Sequence, residues 1–169
     1  MSHDIRTVVD RVVEQVLSET QSKPVRAAHA PLTHMTLAAA KQLIGAVQVK
    51  AAEMGVKAVT AVCDAGGNLI AVERMDDAFI ASIDIAVNKA FTVTALKMPT
   101  KELASLAAPG GSLYGIQFTN GGKIVIFGGG EPLVGAGTIL GGLGVSGGTA
   151  EEDTALGEYG RKYFETRIL

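Results

Sequence analysis

The sequence predicts an α+β fold, an antiparallel β-sheet of about five strands with helices packed on it. Amphipathic helical stripes and short apolar runs follow one another in the order helix, two strands, helix, two or three strands, helix. Turn clusters short enough for hairpins join neighbouring strands, which makes the sheet antiparallel. The third observation is the stretch Ile124–Asp153, IVIFGGGEPLVGAGTILGGLGVSGGTAEED, which reads as a strand, a glycine-marked turn, a second strand and a glycine corner feeding the last helix. It holds nearly half of the chain's 21 glycines. Residues without a Cβ let another backbone or a flat ligand come close, so this stretch specifies backbone shape more than side-chain chemistry.

Residues 1–20 read as a separate unit. Ile5, Val8, Val9, Val12, Val13, Val16 and Leu17 recur at helical spacing, and Asp4, Arg6, Asp10, Arg11, Glu14, Gln15 and Glu19 take the other face. Valines lose χ1 freedom in a helix, and a helix of this length is marginal alone, so it is expected to fold against a partner. Its acids and its broken apolar run argue against an organellar or secretory leader. Residues 21–31, QSKPVRAAHAP, carry two prolines and no periodicity and read as a linker. A short amphipathic helix followed by such a linker resembles the encapsulation peptides that direct cargo into bacterial microcompartments. Docking on the chain's own domain or at an oligomer interface is the other reading of this helix, and both stand at this point.

The domain proper is expected over residues 32–169. Thr36 is placed as an N-cap, Leu37, Ala40, Ile44, Val47, Ala51 and Met54 form an apolar stripe, and Gly55 suits the left-handed residue past the helix end. Val56–Cys63 and Leu69–Arg74 read as paired strands around the turn cluster Asp64–Asn68. Phe79–Met98 is the second long helix, with Ile80, Ile83, Val87, Ala90, Phe91, Thr94 and Met98 on one face and Pro99 ending the pattern. Thr100–Leu106 reads as a short helix capped by Thr100, Leu113–Thr119 as strand or loop, and Lys123–Phe127 as a strand. Thr149 and Glu152 have capping-box spacing, which starts the last helix at about Ala150.

Composition excludes several functions. A formal net charge of −2 with both signs interspersed offers no electrostatic surface for nucleic acid. No apolar run reaches membrane-spanning length, Leu133–Val145 being short and rich in glycine. A single cysteine, Cys63, excludes an internal disulfide. Gly142, Gly144 and Gly147 spell G-x-G-x-x-G, but the residues after Gly148 read as helix and supply neither the second parallel strand nor the ribose-binding acid of a dinucleotide site. Glu151, Glu152 and Asp153 suit a helix N-terminus and would repel a phosphate there.

Several stretches resemble the GlcG/HbpS-like heme-binding family, and within it the branch found as the C-terminal domain of PduO proteins. They are Val62–Leu69 (VCDAGGNL), Ala81–Ala86 with Lys89-Ala90, Met98-Pro99-Thr100, Leu113–Ile116, Phe127–Gly130, and Gly144–Gly148 with Glu151–Asp153. The resemblance implies a profilin-like domain assembled into homo-oligomers such as octamers, heme binding in some members, and an association with corrinoid metabolism. It places the adenosyltransferase activity of PduO proteins in a different, N-terminal domain, so that activity is not expected of residues 32–169. With the N-terminal helix it implies a cytoplasmic tetrapyrrole-binding accessory protein of a microcompartment lumen, contacting shell or cargo proteins through residues 1–20. A heme-degrading or corrinoid-processing enzyme and a ligand-free assembly module are the alternatives.

A heme or cobalamin needs an axial ligand beside an apolar slot. His3 and His29 fall in the tail and linker, which leaves His34, just before the first domain helix, as the candidate metal ligand, although a histidine there is commonly solvated. Cys63 on an apolar strand reads as a small core residue, and Met35, Met54, Met75 and Met98 as packing. Asp84, Asn88 and Lys89 form a polar cluster on the second helix. They are candidates to bind propionates or order an interface, or else make a local ion pair and hydrogen bond. Ser82, Ser105, Ser112 and Ser146 lack the surroundings of a nucleophile, and no catalytic residue is predicted.

Overall fold

The structure is a computed structural model that describes Val9, Arg11 and residues 32–169. The chain divides into two compact units, Met1–Ala30 and Pro31–Leu169. Val9 and Arg11 are helical and exposed; the rest of the helix and the linker expected over residues 1–31 lie outside the described residues.

In the second unit the elements are α1 (Leu37–Glu53), β1 (Val59–Asp64), β2 (Leu69–Arg74), α2 (Ala81–Leu96), α3 (Thr100–Ala107), β3 (Gly130–Gly135), β4 (Thr138–Ser146) and α4 (Ala150–Arg167), with short 3-10 turns at Ile116–Phe118 and Asn120–Gly122. The strands form one sheet in the order β2-β1-β4-β3, antiparallel throughout. The class is the α+β one expected, with four strands in place of about five. Ala136 and Gly137, both with positive φ, make the two-residue turn between β3 and β4, a geometry whose twist matches that of the strands it joins.

Because side chains alternate along a strand, β1 sends Val62 to one face and Val59, Ala61 and Cys63 to the other. On the first face Val62, Leu133, Leu143 and Val145 pack with Leu43, Ile44 and Val47 of α1 and Leu156 and Phe164 of α4. On the second, Val59, Ala61 and Cys63 pack with Ala86 and Ala90 of α2. One helix therefore covers one face and two cover the other.

Local chemistry sets most boundaries. Thr36 Oγ1 accepts the Ala39 N–H at 3.1 Å at the start of α1, and Gly55 follows its end at φ 73°. Thr149 and Glu152 bond reciprocally at the start of α4, at 2.8 and 3.2 Å, which satisfies two otherwise orphaned donors. Lys97, left-handed at φ 57°, ends α2.

Three expectations are corrected, and the alternative left open at Leu113–Thr119 is decided against a strand. Lys123–Phe127 is not a strand, because its backbone is tied to a helix side chain: Val125 N–H donates to Thr92 Oγ1 at 3.0 Å. Leu113–Thr119 is turn and 3-10 helix. Thr100 does not cap α3; Pro99 precedes the helix, and Thr100 Oγ1 instead accepts the Gly130 N–H at 2.9 Å, which pins α3 to β3. The inward face of α2 is Ser82, Ala86, Lys89, Ala90 and Val93, while Ile80 is 83% exposed and Ile83 is exposed as well. Ile80 precedes the helix, whose apolar residues are spread over every side, so periodicity alone does not choose its face. The partner surface chooses, and it admits small residues.

That surface is glycine. A Cβ on Gly144 would overlap the Ala86 carbonyl oxygen and lie 2.7 Å from Ala90 N, and one on Gly142 would overlap the Ala90 carbonyl oxygen. We expect Gly144→Ala to cost about 3 kcal/mol or more, since α2 has to move off the sheet. Gly45→Ala, on the helical backbone of α1 with no atom within 4 Å of the added carbon, is expected to gain about 0.5–1 kcal/mol. Urea denaturation of the two variants checks both signs.

Candidate functional site

His34 stands exposed in the segment leading into α1. Its Nδ1 lies 3.4 Å from Thr33 Oγ1, and with a proton on Nδ1 the Nε2 lone pair has no partner among the described residues. A cleft of about 320 Å³ opens beside it, walled by Met35, Ile139 and Leu140 and closed by the Asp64–Gly66 turn. That turn is rigid: Asp64 Oδ1 accepts the N–H groups of Gly66 and Asn68 at 2.8 and 2.9 Å. The Asn68 side-chain amide, donating to the two carboxylate oxygens at 3.2 and 3.1 Å, and then these backbone bonds hold the Asp64 carboxyl below its ordinary range. The cleft thus joins a free imidazole nitrogen to apolar walls and one fixed carboxylate. Those residues fit one axial position of a heme and part of its apolar contact.

The other three candidates do not line this cleft. Asn88 Nδ2 donates to Asp84 Oδ2 at 3.1 Å on the exposed side of α2, the local bond that one-turn spacing allows. Lys89 turns the opposite way and is fully buried. Its ammonium donates to Asp153 Oδ2 and to the Val145 carbonyl, each at 2.7 Å, and lies 4.7 Å from the centre of the Phe127 ring. Burial pulls the Lys89 pKa down, and Asp153 opposes that pull. Asp153 Oδ1 accepts the Gly148 N–H at 2.9 Å. The pair therefore ties α2, β4 and the start of α4 together in the interior.

Sequence reasoning placed Asp153 only as a first-turn acid of α4 and missed this partnership. The available signal was Lys89 lying within the small-residue stripe Ser82, Ala86, Ala90 and Val93. Sequence reasoning also missed Glu131, 4% exposed in β3. Its Oε2 meets Arg161 Nε at 3.2 Å. Burial raises its pKa to about 7, with Arg161 opposing and Glu158 and Glu102 adding to the rise. A charged residue between Gly130 and Pro132 in an otherwise apolar strand was the clue. Cys63 is buried and its Sγ donates to the Ala90 carbonyl at 3.1 Å, as befits a core residue. Ser146 and Ser82 bond to each other in the interior at 3.1 Å. Among the described residues no group of three His, Cys, Asp or Glu side chains is placed to hold a metal ion, and no helix is long and apolar enough to cross a membrane.

The profile of the family described as haem degrading protein, HbpS-like, matches residues 35–162. The chain belongs to the HbpS-like family. Among relatives, it is 51% identical over 124 residues to a 15.0 kDa protein of the dhaT-dhaS intergenic region of Citrobacter freundii, covering 73% of this chain and 87% of that one. It is 36% identical over 151 residues to the corrinoid adenosyltransferase PduO of the same organism, covering 89% of this chain and 44% of PduO. The chain thus spans less than half of PduO. A crystal structure of a PduOC:heme complex superposes with a TM-score of 0.74 at 35% identity, covering 77% of this chain and 94% of that one. The HbpS-like fold and the PduO C-terminal branch read from the sequence are both borne out.

Removing one partner of the Lys89–Asp153 pair leaves the other charged and unpaired in a dry interior. Lys89→Met and Asp153→Asn are each expected to cost about 3–5 kcal/mol. The double variant should lose less than the sum of the two by about 1–3 kcal/mol. Denaturant titration of the four proteins measures that coupling, and simple additivity would mean that the two groups stabilise the fold separately.

Proposed function

We propose that residues 32–169 form a heme-binding accessory domain with His34 as the axial ligand. The observation that carries this reading is the likeness to the PduOC:heme complex at 35% identity, together with the free Nε2 of His34 above an apolar cleft. In this reading Met35, Ile139 and Leu140 contact the macrocycle, and Thr33 orients the imidazole through Nδ1. The bound iron would supply ligand-exchange and redox chemistry that the side chains of the cleft do not offer. Asp84 and Asn88 are left as candidates for an interface or for the propionates. Lys89 serves them only through the position of α2.

The likeness to PduO supports a role beside corrinoid metabolism, with cobalamin as a second ligand to test. We take the protein to act as a homo-oligomer, with the octamer implied by the family resemblance as the first state to look for. Phe79, Ile80, Tyr114 and Phe118 are exposed and give such an assembly apolar surface to bury. The family's description as haem degrading favours a second reading, turnover of the bound heme.

An absorbance titration with hemin and, separately, cobalamin separates these readings. Saturation at one heme per subunit or per dimer is expected, with the Soret shift lost in His34→Ala and the subunit number read by light scattering on the same samples. A shift retained in the variant keeps heme binding and removes His34. Bleaching with a reductant and oxygen supports degradation. No saturable change with either pigment leaves an assembly module.

We further propose that residues 1–20, joined by the linker 21–31, direct the domain into a microcompartment lumen. The support is the amphipathic pattern of the sequence. A fluorescent reporter fused to residues 1–30 and expressed with shell proteins should collect in foci. Diffuse fluorescence sinks the targeting idea and favours a helix that docks within the oligomer.

A further inference from the structure

A second cleft, of about 510 Å³, lies between α3 and α4 over the outer strand of the sheet. Glu131 is one wall. Its side chain points toward α4, where Gly157 makes room for it: a Cβ there would come within 3.2 Å of Glu131 Cγ. One carboxylate oxygen of Glu131 meets Arg161, and the other has no donor among the described residues. That second oxygen is not among the buried atoms left without a partner, so it reaches the open cleft and can accept from a donor there. Pro132, beside it in the edge strand, has no N–H to supply.

The charges around that oxygen favour a cation. Glu102, Glu131 and Glu158 line the cleft against Lys101 and Arg161. Arg161 also serves Glu165 through Nη1 at 2.8 Å, and Lys101 is 3.2 Å from Glu158. Burial is the main cause of the high proton affinity of Glu131, with Arg161 opposing it and Glu158 and Glu102 adding to it. The carboxylates are not placed to share a metal ion, so the cation that fits is an organic one with directional donors. We propose that this cleft binds a small aliphatic primary amine, its ammonium donating to the free oxygen of Glu131 and its carbon chain lying against Pro132. The site lies on different elements from the His34 cleft and stands apart from the heme reading.

A chemical-shift titration of the full chain with n-butylamine tests the site, with butan-1-ol and butyrate as the neutral and anionic counterparts. Saturable binding of the amine alone is expected. Glu131 must be ionised to accept the ammonium, so affinity should fall about tenfold from pH 7.5 to pH 6. The charged groups facing it are Lys101, Glu102, Glu158 and Arg161. Glu131→Gln should weaken binding about tenfold and flatten the pH profile. Lys101→Gln, at an exposed position, should tighten binding about two- to fivefold with the profile unchanged, and it serves as the test if Glu131→Gln does not fold. Equal binding of butan-1-ol, absence of saturation by the amine at tens of millimolar, or a pH-independent affinity in the native protein overturns the proposal.

Discussion

Gly142 and Gly144 leave two positions on the α2 side of β4 without side chains, and the backbone of α2 rests in the space they vacate. Much of the domain follows from that approach. Only a helix with small residues on one side can lie so close, so Ser82, Ala86 and Ala90 turn inward and Ile83 outward. The closeness also carries the Lys89 ammonium to the Val145 carbonyl and to Asp153. An ammonium buried this deeply is tolerable because three of its surroundings are electron-rich: a carboxylate, a carbonyl and the Phe127 ring. The start of α4 is thereby fixed to the sheet, through a carboxylate that also accepts the Gly148 N–H.

The interior thus spends its polar side chains on joining elements. Thr92 holds the Lys123–Phe127 segment, Thr100 holds β3, and Ser82 holds Ser146. Each satisfies a group that would otherwise be buried without a partner. Chemistry toward a ligand is left to groups at the rim. His34 and Glu131 are alike in this respect: each has one polar atom engaged by a neighbour and each lines an open cleft.

The two clefts are chemically opposite. Around His34 the walls are apolar and the free group is a Lewis base, which suits a flat tetrapyrrole whose metal needs a ligand. Around Glu131 the walls are charged and the free group is an acceptor with a high proton affinity, which suits a hydrogen-bond donor carrying positive charge. They are built on different elements, the entry to α1 with the strand turns in one case and α3 with β3 and α4 in the other.

What the sequence determined by itself was local. The Thr36 and Thr149 caps, the Gly55 stop, the Asp64–Asn68 turn and the β1–β2 hairpin were legible because each depends on residues a few positions apart. The family was legible because its motifs recur in order across the domain. The face of α2 and the pairing of Lys123–Phe127 were not, since a helix with apolar residues on every side and a short apolar run are each compatible with several partners. Contacts between residues far apart in the chain decided them: Ala86 against Gly144, Thr92 against Val125. The same holds for the candidate sites. His34 was a candidate from the sequence because few histidines competed for the role, whereas Lys89 with Asp153 and Glu131 with Arg161 are separated by tens of residues. The burial that pulls the Lys89 pKa down and pushes the Glu131 pKa up exists only once the tertiary structure has removed water from around them.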